Sequence, residues 1–502
     1  MLVHHYLRRA AATSPEAVAV IDGGRSVSYA ELADQTARFA NVLIEAGVRP
    51  GDRVVVALEN SPEFIASYFG AMEAGAVAVP LSSGSRSDRL VAACADCLPV
   101  VCIADAGAAA LIAAEAPSSM RQLFVLGSQS LNDALAGASS TRPDVRRTDA
   151  DLAAIIYTSG STGEPRGVML SHLNICANTA SIVEYLRLTA ADRVLAVLPF
   201  FYVYGLSLLH THVAVGGSLV LVNSLAFPNV AVKAMARHAV TGFAGVPSTF
   251  ALMLERSNLA SASLPALRYA TQAGGAMPPA RIRGWLTAMP HVPLFVMYGA
   301  TEASARLAYL DPAELPQRIG SVGRAIPNVE LRVLREDGSV ADVGEVGEIV
   351  ARGLNISSGY WQQPEQTAER FGPEGFRTGD LGTCDGSGCF TIVGRKGDML
   401  KIGGHRVSAR EIEDAIAECP GVIECAVIST DHEILGDAPV AFVSVREGVT
   451  TDGVIAFCRE HLSEAKVPVS VTAYATLPKN AAGKVDKAQL RAAVEAMTGA
   501  SR

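Results

Sequence analysis

The chain has 502 residues, of which 49% are hydrophobic and 18% are charged, and its formal net charge is −8 at pH 7. This balance is typical of a packed protein with two or more domains and excludes a largely disordered chain. The net acidity argues against nucleic acid or an anionic membrane as the main partner.

The lack of a recognisable signal peptide and the pattern of cysteines predict a cytoplasmic protein. Residues 1–20 contain no apolar core long enough for a signal peptide. The nine cysteines are an odd number and are scattered, which indicates free thiols in a reducing compartment. Cys94 and Cys97 have the spacing of half a zinc site, but no second pair stands at zinc spacing, so structural cysteines are favoured.

Residues 194–222 carry no formal charge, yet proline and glycines interrupt them, so a buried strand–turn–helix–strand is favoured over a membrane span.

Strand-like runs alternate with helical patterns through the first part of the chain. Residues 53–58 and 76–81 are predicted strands, and residues 63–74 between them are a predicted amphipathic helix. This order predicts βαβ units, a mainly parallel sheet and an α/β fold.

The next apolar run, residues 152–156, is a predicted buried strand that ends in YTSGSTGEPRGV at residues 157–168. Glycines let backbone N–H groups crowd around an oxyanion, and hydroxyls and a guanidinium add donors. The segment is not a Walker loop, because no Gly-Lys-Ser/Thr closes it. It is therefore a candidate polyphosphate site, with an exposed Ser/Gly turn as the alternative. Its candidate residues are Thr158, Ser159, Gly160, Ser161, Thr162, Gly163 and Arg166.

This segment closely resembles the phosphate loop of the adenylate-forming superfamily, which includes acyl-CoA synthetases, peptide-synthetase adenylation domains and firefly-type luciferases. Members usually carry lysine where this chain has Arg166, whose charge should preserve the phosphate contact with a different geometry. The resemblance covers nearly the whole chain and is closest to the acyl-CoA synthetases. It implies a large N-terminal domain of parallel-rich sheets with packed helices, and a small mobile α+β C-terminal domain.

The resemblance places an acyl pocket near LPFFYVYGL at residues 198–206, where acyl-CoA synthetases often have histidine at the position of Tyr202. Amino-acid-activating relatives usually place an aspartate in this region to hold the substrate ammonium. Residues 200–205 contain no carboxylate, so an uncharged acyl tail, fatty or aryl, is favoured. Tyr202, Tyr204, Phe243 and Gln272 are candidate wall residues, and ordinary core packing is the alternative for the aromatic ones.

Residues 297–304, MYGATEAS, form a second motif. Tyr298 offers a ring suited to stacking on adenine. Thr301 and Glu302 place a hydroxyl beside a carboxylate, and a single carboxylate with phosphate oxygens and waters is how Mg²⁺ is usually held. In the family this motif supplies the adenine-stacking aromatic and the acidic Mg²⁺ residue, and every position matches here, Gly299 included. Taken alone, such a motif is more often a plain loop.

Further family matches lie on both sides of this motif. Gly274 and Gly275 resemble the adenine and acyl-wall strand, where small residues permit close approach. RTGD at residues 377–380 matches the ribose motif, in which ionised Asp380 would accept hydrogen bonds from both ribose hydroxyls. Arg395 matches a second ribose or phosphate contact. The alternative for RTGD is an ordinary surface turn.

The C-terminal part has a pattern of its own. An amphipathic helix is predicted at 409–418 and short strands at 425–429 and 440–445. The boundary is predicted between Arg395 and Lys396. The predicted domains are residues 1–395, which bind ATP and the acyl group, and residues 396–502, which carry the catalytic lysine and are mobile.

The last motif, LPKNAAGKVD at residues 477–486, resembles the catalytic-lysine loop of the family. The resemblance places the Lys484 ammonium between the attacking carboxylate and the α-phosphate, and a lysine that serves only solubility is the alternative. Gly403 and Gly404 match the loop that lines a pantetheine channel after the domain rotates. Gly397 stands where relatives commonly have a hinge Asp or Lys, which should leave the rotation less restrained.

These residues predict an ATP-dependent acid–thiol ligase that forms an acyl-AMP and transfers the acyl group to coenzyme A. Lys484, Glu302 and Arg166 are the expected catalytic residues, with Glu302 also the metal ligand. ATP, Mg²⁺ and coenzyme A are the implied cofactors. Three alternatives remain open: transfer to a carrier-protein phosphopantetheine, a luciferase-type oxidoreductase, and a non-enzymatic sensor of acyl groups or nucleotides.

Overall fold

The computed structural model describes residues 1–84, 87–159, 165–402, 405–432, 436–480 and 483–499. Within these residues the strands are, in chain order, β1 Val18–Asp22, β2 Arg25–Ser28, β3 Arg53–Ala57, β4 Val77–Pro80, β5 Val101–Ala104, β6 Gln122–Val125, β7 Leu152–Ser159, β8 Pro165–Ser171, β9 Arg193–Ala196, β10 Ser218–Leu221, β11 Gly242–Gly245, β12 Tyr269–Gln272, β13 Leu294–Tyr298, β14 Ala308–Leu310, β15 Ser321–Ala325, β16 Val329–Leu334, β17 Gly347–Gly353, β18 Phe371–Gly372, β19 Gly375–Cys384, β20 Phe390–Arg395, β21 Met399–Ile402, β22 His405–Ser408, β23 Val422–His432, β24 Gly436–Val445 and β25 Ser470–Ala473.

The helices of the described residues follow the same order. They are α1 His5–Thr13, α2 Tyr29–Glu45, α3 Pro62–Glu73, α4 Ser87–Cys97, α5 Ala106–Ala114, α6 Gln129–Gly137, α7 His172–Leu186, α8 Val203–Val215, α9 Pro228–Arg237, α10 Pro247–Arg256, α11 Pro279–Ala288, α12 Pro364–Arg370, α13 Ala409–Glu418, α14 Thr451–His461 and α15 Lys487–Gly499.

Two large sheets form the first four fifths of the molecule. The larger has the order β16-β17-β19-β20-β15-β14-β13-β12-β11-β9-β10-β1-β2 and is parallel from β1 to β13, while its remaining strands are antiparallel. The other has the order β6-β5-β3-β4-β7-β8 and is parallel except for β8. The predicted α/β fold is therefore confirmed, including the parallel β3–α3–β4 unit.

The main hydrophobic core lies between these two sheets. Val54 and Val56 of β3 share it with Val194 of β9, and helices α2, α3 and α8 fill the space. Val55, one position along β3, points to the opposite face and packs with α4 and α5. This alternation is the period-2 pattern of a strand that is covered on both faces. The outer face of the larger sheet is covered by α9, α10 and α11.

The prediction that residues 63–74 form an amphipathic helix is wrong in one respect. The helix is present as α3, but nearly all of it is buried, from Phe64 to Glu73. It lies inside the layer between the sheets and packs closely on α2, since a Cβ added at Gly70 would lie 2.8 Å from Phe39 Cβ. A helix enclosed on nearly all sides has no polar face to present, and its buried carboxylate, Glu73, accepts a hydrogen bond from Arg8 Nε at 2.7 Å.

The uncharged stretch at residues 194–222 is interior structure, as predicted. It contains β9, the buried helix α8 and β10, with a turn at Gly216 in the left-handed region. In the described part of the chain, no helix has the length and hydropathy needed to cross a membrane.

All nine cysteines are free thiols. Cys94 and Cys97 lie in the same core cluster as Cys102, and burial raises the pKa of the Cys97 thiol well above its ordinary value. The described residues contain no cluster of three or more side chains arranged to hold a metal ion. Cys94 and Cys97 are therefore packing residues in this fold.

A separate small sheet follows β20. Its order is β22-β21-β24-β23, with β25 paired to β24, and α13 packs on it through Ile412 and Ile416. The predicted helix at 409–418 and the two predicted strands are present, the latter as parts of the longer β23 and β24. A short 3-10 turn, Lys396–Asp398, connects β20 to β21. We propose this turn as the domain boundary.

Four histidines are buried in the large domain, and burial is the main cause that lowers each of their pKa values. The pKa falls to about 2 for His4, about 4 for His172, about 3 for His210 and about 4 for His212. His212 Nδ1 bonds to the Leu208 carbonyl at 2.9 Å and Nε2 lies 3.2 Å from Tyr269 Oη, a set of partners that fits the neutral ring.

These histidines predict a loss of stability on acidification. Below pH 6.5 these histidines become protonated in the unfolded chain, whereas His212 in the folded chain stays neutral down to about pH 4. The free energy of unfolding therefore falls between these two pH values. Each histidine should contribute a loss of about 2 kcal/mol by pH 5. Thermal unfolding from pH 7.5 to 5 measures this, and His212→Gln should flatten the pH dependence of Tm. The exposed His291→Gln is the control, and an equal slope in both variants would contradict the assignment.

Candidate functional site

Tyr298 and Asp380 meet where β13 and β19 approach each other. Tyr298 Oη donates a hydrogen bond of 2.6 Å to Asp380 Oδ2. Burial raises the pKa of the Tyr298 phenol well above its ordinary value, and the Asp380 carboxylate adds to this, so the phenol stays a donor. Burial also raises the pKa of Asp380, while the charge of Arg395 opposes the rise. The structure therefore brings together two residues that the sequence motifs proposed for adenine and ribose.

The Asp380 segment is a strand with fixed geometry, and the surface-turn alternative is excluded. Asp380 stands opposite Arg395 in the β19–β20 pairing, with 3.7 Å between Oδ1 and Nε. The buried Thr378 hydroxyl donates to the Ile349 carbonyl at 2.7 Å and accepts from the Asp380 backbone N–H at 3.1 Å. These bonds hold the carboxylate at the cleft before any ligand binds.

A second cluster joins Glu302, Tyr360 and Arg166. Glu302 lies in the 3-10 turn Thr301–Ala303 directly after β13. Tyr360 Oη donates to Glu302 Oε1 at 2.8 Å, and burial together with this carboxylate raises the pKa of the tyrosine. Arg166 lies over the Tyr360 ring, with 6.0 Å between the guanidinium carbon and the ring centroid. Among the described residues, no hydrogen-bond partner exists for the buried Nε of Arg166, which leaves a donor for an anion.

The β7–β8 hairpin carries the predicted phosphate loop at its tip. Thr158 pairs with Arg166 and Ser159 with Pro165 in its register. The Trp361 backbone N–H donates to the Gly167 carbonyl at 2.7 Å, which fixes the hairpin beside Tyr360 and hence beside Glu302. The predicted residues Gly160, Ser161, Thr162 and Gly163 lie outside the described residues, as do Gly403 and Gly404 between β21 and β22.

Lys484 reaches the same cleft from the C-terminal domain. A Cβ added at Gly274 would lie 3.3 Å from Lys484 Cε and 3.9 Å from its Nζ. The lysine loop is held there because Ser248 Oγ donates to the Gly483 carbonyl at 2.6 Å. The residue as a whole is exposed, but desolvation of its ammonium against the cleft wall lowers the pKa of Lys484, with the charge of Arg395 adding to the decrease and that of Asp380 opposing it. Lys484, Arg395 and Asp380 therefore act on one another within one cleft.

The strand end beside Lys484 is shaped by glycine. Gly274 has φ of +85°, a conformation that favours glycine, and the Gln272 side-chain N–H₂ donates to the Gly275 carbonyl at 2.8 Å. Gly299, after Tyr298, is required on steric grounds, since a Cβ there would lie 1.9 Å from the Ala305 carbonyl oxygen. These residues form one wall of the cleft beside Lys484.

The three aromatic candidates for the acyl wall occupy different surroundings. Tyr202 precedes α8 and is half-buried, with its ring 4.5 Å from that of Phe201. Tyr204 is buried, and its hydroxyl donates to the Thr271 carbonyl at 2.9 Å. Phe243 is fully buried in the core outside the larger sheet and stacks on Trp285 at 6.0 Å, contacts that fit the core-packing alternative.

Tyr360 and Arg370 were missed by the sequence motifs. Tyr360 orients Glu302, and Arg370 Nη2 donates to the Thr378 carbonyl at 2.7 Å behind Asp380. The signal for the first was present, because a Tyr-Trp pair directly after Ser-Ser-Gly at 357–359 is an unusual composition for a plain loop. No comparable signal marks Arg370.

Ionic contacts fasten the C-terminal domain to the large one. The Glu255 carboxylate of α10 accepts from both Arg281 and Arg446. Arg281 Nη2 also donates to the carbonyls of Val422 at 2.7 Å and Ile423 at 2.6 Å. We call Glu255, Arg281 and Arg446 the interdomain clamp. It holds the orientation in which Lys484 faces Gly274.

Comparisons with known proteins extend these observations. A family model described as AMP-binding enzyme matches residues 7–361, and one described as AMP-binding enzyme C-terminal domain matches residues 411–484. A feruloyl-CoA synthase of an Amycolatopsis species is 34% identical over 490 residues, covering 96% of this chain and 97% of that protein. ATP-bound MatB from Rhodopseudomonas palustris is 32% identical, with a TM-score of 0.90 over 98% of this chain and 99% of that one. Its apo form, over the same shares, gives a TM-score of 0.78.

Proposed function

Since the chain belongs to the AMP-binding enzyme family and to its AMP-forming acid–CoA ligases, we propose that it activates a fatty or aryl acid as an acyl-adenylate and transfers the acyl group to coenzyme A. One observation carries the proposal. The side chain of Lys484 lies against Gly274 in the cleft that also contains Tyr298, Asp380 and Arg395. A protein that only binds nucleotide has no need of an ammonium held there by a second domain.

The first half-reaction joins the acid to the nucleotide. An oxygen of the substrate carboxylate attacks the α-phosphorus of ATP, forming the acyl–phosphate bond while the bond to pyrophosphate breaks. Asp380 would bind the ribose hydroxyls, and Tyr298 would stack on adenine. Lys484 and Arg166 would neutralise the charge that builds on the phosphoryl oxygens, as preorganised cations do in phosphoryl transfer.

Glu302 is the residue that would hold Mg²⁺. Tyr360 bonds only one of its two carboxylate oxygens in the contacts described, and the hairpin with Arg166 lies next to it. A single carboxylate combined with phosphate oxygens is the donor set that Mg²⁺ favours. The bound ion would supply charge neutralisation at the phosphates.

The second half-reaction needs a different domain orientation. We propose that residues 396–502 rotate about the 3-10 turn Lys396–Asp398, withdraw Lys484 and bring Gly403 and Gly404 to the cleft. The thiolate of coenzyme A then attacks the acyl carbon, the thioester bond forms, and AMP leaves with the electron pair of the broken anhydride bond. A Cβ added at Gly397 would meet no described atom within 4 Å, so this turn is unobstructed on that side.

The interdomain clamp gives a test of this rotation. Glu255→Gln removes the charge that attracts Arg446, so the adenylating orientation should be less populated and the adenylation rate should fall by about threefold to tenfold. Thioester formation from a supplied acyl-adenylate should be unchanged or faster. Glu314→Gln, which breaks a pair with Arg324 inside the large domain, is the matched control. Equal losses in both half-reactions would contradict the role of the clamp.

The substrate and acceptor classes are tested together. Pyrophosphate release is measured with a panel of fatty, aryl and amino acids, with and without coenzyme A. We expect release with fatty or aryl acids, and acyl-CoA only when coenzyme A is present. Release without any thioester product, combined with transfer to a phosphopantetheinylated carrier protein, would replace coenzyme A as the acceptor. Absence of acid-dependent release would overturn the proposed function.

A further inference from the structure

Arg306 is a fully buried arginine near the acyl side of the cleft. Only 2% of its surface is exposed, and among the described residues no Asp or Glu oxygen lies within 4.0 Å of it. Two half-buried arginines of the large domain do reach carboxylates: Arg8 bonds Glu73 and Arg281 bonds Glu255. A buried cation without a paired anion is costly, so an unpaired guanidinium at this depth calls for a partner.

The contacts that Arg306 does make are weak ones. Its Nε donates to Met297 Sδ at 3.3 Å, and its Nη2 lies 3.4 Å from Ser207 Oγ, beyond the usual range for a hydrogen bond. Nη1 donates to the adjacent Ala305 carbonyl at 3.2 Å. The guanidinium also lies over the Tyr204 ring, 4.2 Å from its centroid. These partners hold the group in place without neutralising it.

A cavity of about 10 Å³ lies beside this guanidinium. Its wall includes Arg306, Ser207, Thr271, Met297 and Tyr185, and the volume suits about one water-sized group. Tyr204, a candidate residue of the acyl wall, connects this cavity to the proposed acyl pocket. Its hydroxyl donates to the carbonyl of Thr271, which lines the cavity, and its ring lies under the Arg306 guanidinium.

The backbone before Arg306 is strained in a way that directs it inward. Ser304 has φ of +56° and Ala305 has φ of +129°, values that side chains other than glycine rarely adopt. Asn355 Nδ2 holds this turn by donating to the Arg306 carbonyl at 2.8 Å, and Asn178 Nδ2 donates to the same oxygen at 3.1 Å. Strain that neighbouring residues maintain is typical of positions with a functional demand.

We infer that Arg306 is a specificity-determining residue that selects acids carrying a hydrogen-bond-accepting oxygen, a second carboxylate or a carbonyl, at the end remote from the reacting carboxylate. The inference rests on the proposed function and refines its substrate class. The small cavity accepts the oxygen and excludes a long alkyl chain, and the guanidinium supplies the charge that pairs with it. A substrate ammonium would be repelled from this position.

The test compares matched acids in the full-length enzyme. Acid-dependent pyrophosphate release is measured for 3-phenylpropanoate and its para-carboxy and para-acetyl derivatives, and for hexanoate and adipate. The wild type should favour the oxygen-bearing member of each pair by about tenfold to a hundredfold in kcat/KM. Arg306→Met should bring this ratio close to one, and Arg306→Lys should keep it for the carboxylates only. Arg193→Met, which removes a guanidinium that bonds the His238 carbonyl elsewhere on the sheet, should leave the ratio unchanged.

Each outcome supports or overturns the inference. A wild-type enzyme that prefers the unsubstituted acids overturns it without any variant, as does a preference that survives in a folded Arg306→Met protein. If thermal unfolding shows that Arg306→Met is not folded, the Arg306→Lys variant provides the test. It should keep the preference for the para-carboxy acid and lose the preference for the para-acetyl acid. Absence of release with every acid would instead be a failure of the proposed function.

Discussion

Replacing Lys484 by alanine should abolish acid-dependent ATP–pyrophosphate exchange, with a loss of about 10²–10³ in rate. The ammonium lies against Gly274 in the cleft of Asp380 and Arg395, so its removal leaves the developing phosphoryl charge with fewer cations. Thioester formation from a supplied acyl-adenylate and coenzyme A should be largely retained, because the proposed rotation withdraws the lysine before that step. Exchange and thioester formation are measured separately on the same preparation.

The control for this variant is Lys466→Ala. Lys466 belongs to the same domain, and its ammonium pairs with Glu411 at 2.5 Å on the surface, away from the cleft. It should retain exchange. Near-normal exchange in Lys484→Ala would contradict the proposed role of this lysine in adenylation. Loss of both half-reactions in a folded protein would show a structural role instead.

The pKa of Lys484 adds a pH signature. Desolvation lowers this pKa below the ordinary value of 10.5, so the ammonium loses its proton at a lower pH than an ordinary lysine does. The alkaline limb of the adenylation rate should therefore decline below pH 10.5 in the wild type. Lys484→Ala should lack that limb in its residual rate.

The parts of the site that depend on local chemistry could be predicted from the sequence. The donors of residues 157–168, the Tyr298 ring and the Lys484 loop are each recognisable in a short segment. That Tyr298 bonds Asp380 and that Lys484 reaches Gly274 are facts of tertiary pairing, since the two members of each pair are far apart in the chain. Only the family resemblance joined them in advance, and their positions in the structure agree with that grouping.

The parts that could not be predicted depend on surroundings and not on residue type. Periodicity indicates a helix at residues 63–74, but it does not show that neighbours cover every side of α3. The sequence does not distinguish an aromatic residue of the core from one in a pocket wall. Tyr204 and Phe243 were therefore both predicted as wall residues, although their surroundings differ. A charged residue such as Arg306 is normally predicted to lie on the surface, and only the folded structure shows that it is buried.

The fold itself followed from the alternation of strand and helix patterns. The β3–α3–β4 unit and the helix at 409–418 are at the predicted places, because apolar runs bounded by glycine and polar turns determine them locally. The order of strands within each sheet is a different matter. It brings β12, β13 and β19 to one cleft, and no pattern within any one strand determines that arrangement.

Replacing Asp380 by asparagine should raise the KM for ATP by about tenfold to a hundredfold while leaving the thermal stability of the ligand-free protein equal or higher. The binding loss follows because an amide accepts only at its oxygen, so the charge-assisted bonds to the ribose hydroxyls are weakened. The stability gain follows from burial, which raises the pKa of Asp380 in the folded state. A raised carboxyl pKa means that stability is lost as pH rises through it, so the ionised group is unfavourable near neutrality.

Asp385, in the turn that follows β19, is the matched control because its pKa is shifted in the opposite direction from that of Asp380. Hydrogen bonds from Ser387 and the ion pair with Arg318 lower its pKa, so its ionised form favours the folded state. Asp385→Asn should lower Tm slightly and leave the KM for ATP unchanged, since the group is half-exposed and screened by solvent. The Tm advantage of Asp380→Asn should be present at pH 7 and shrink toward pH 4. An Asp380→Asn protein that is less stable at neutral pH, or that binds ATP normally, would show that the carboxylate serves the fold and not the nucleotide.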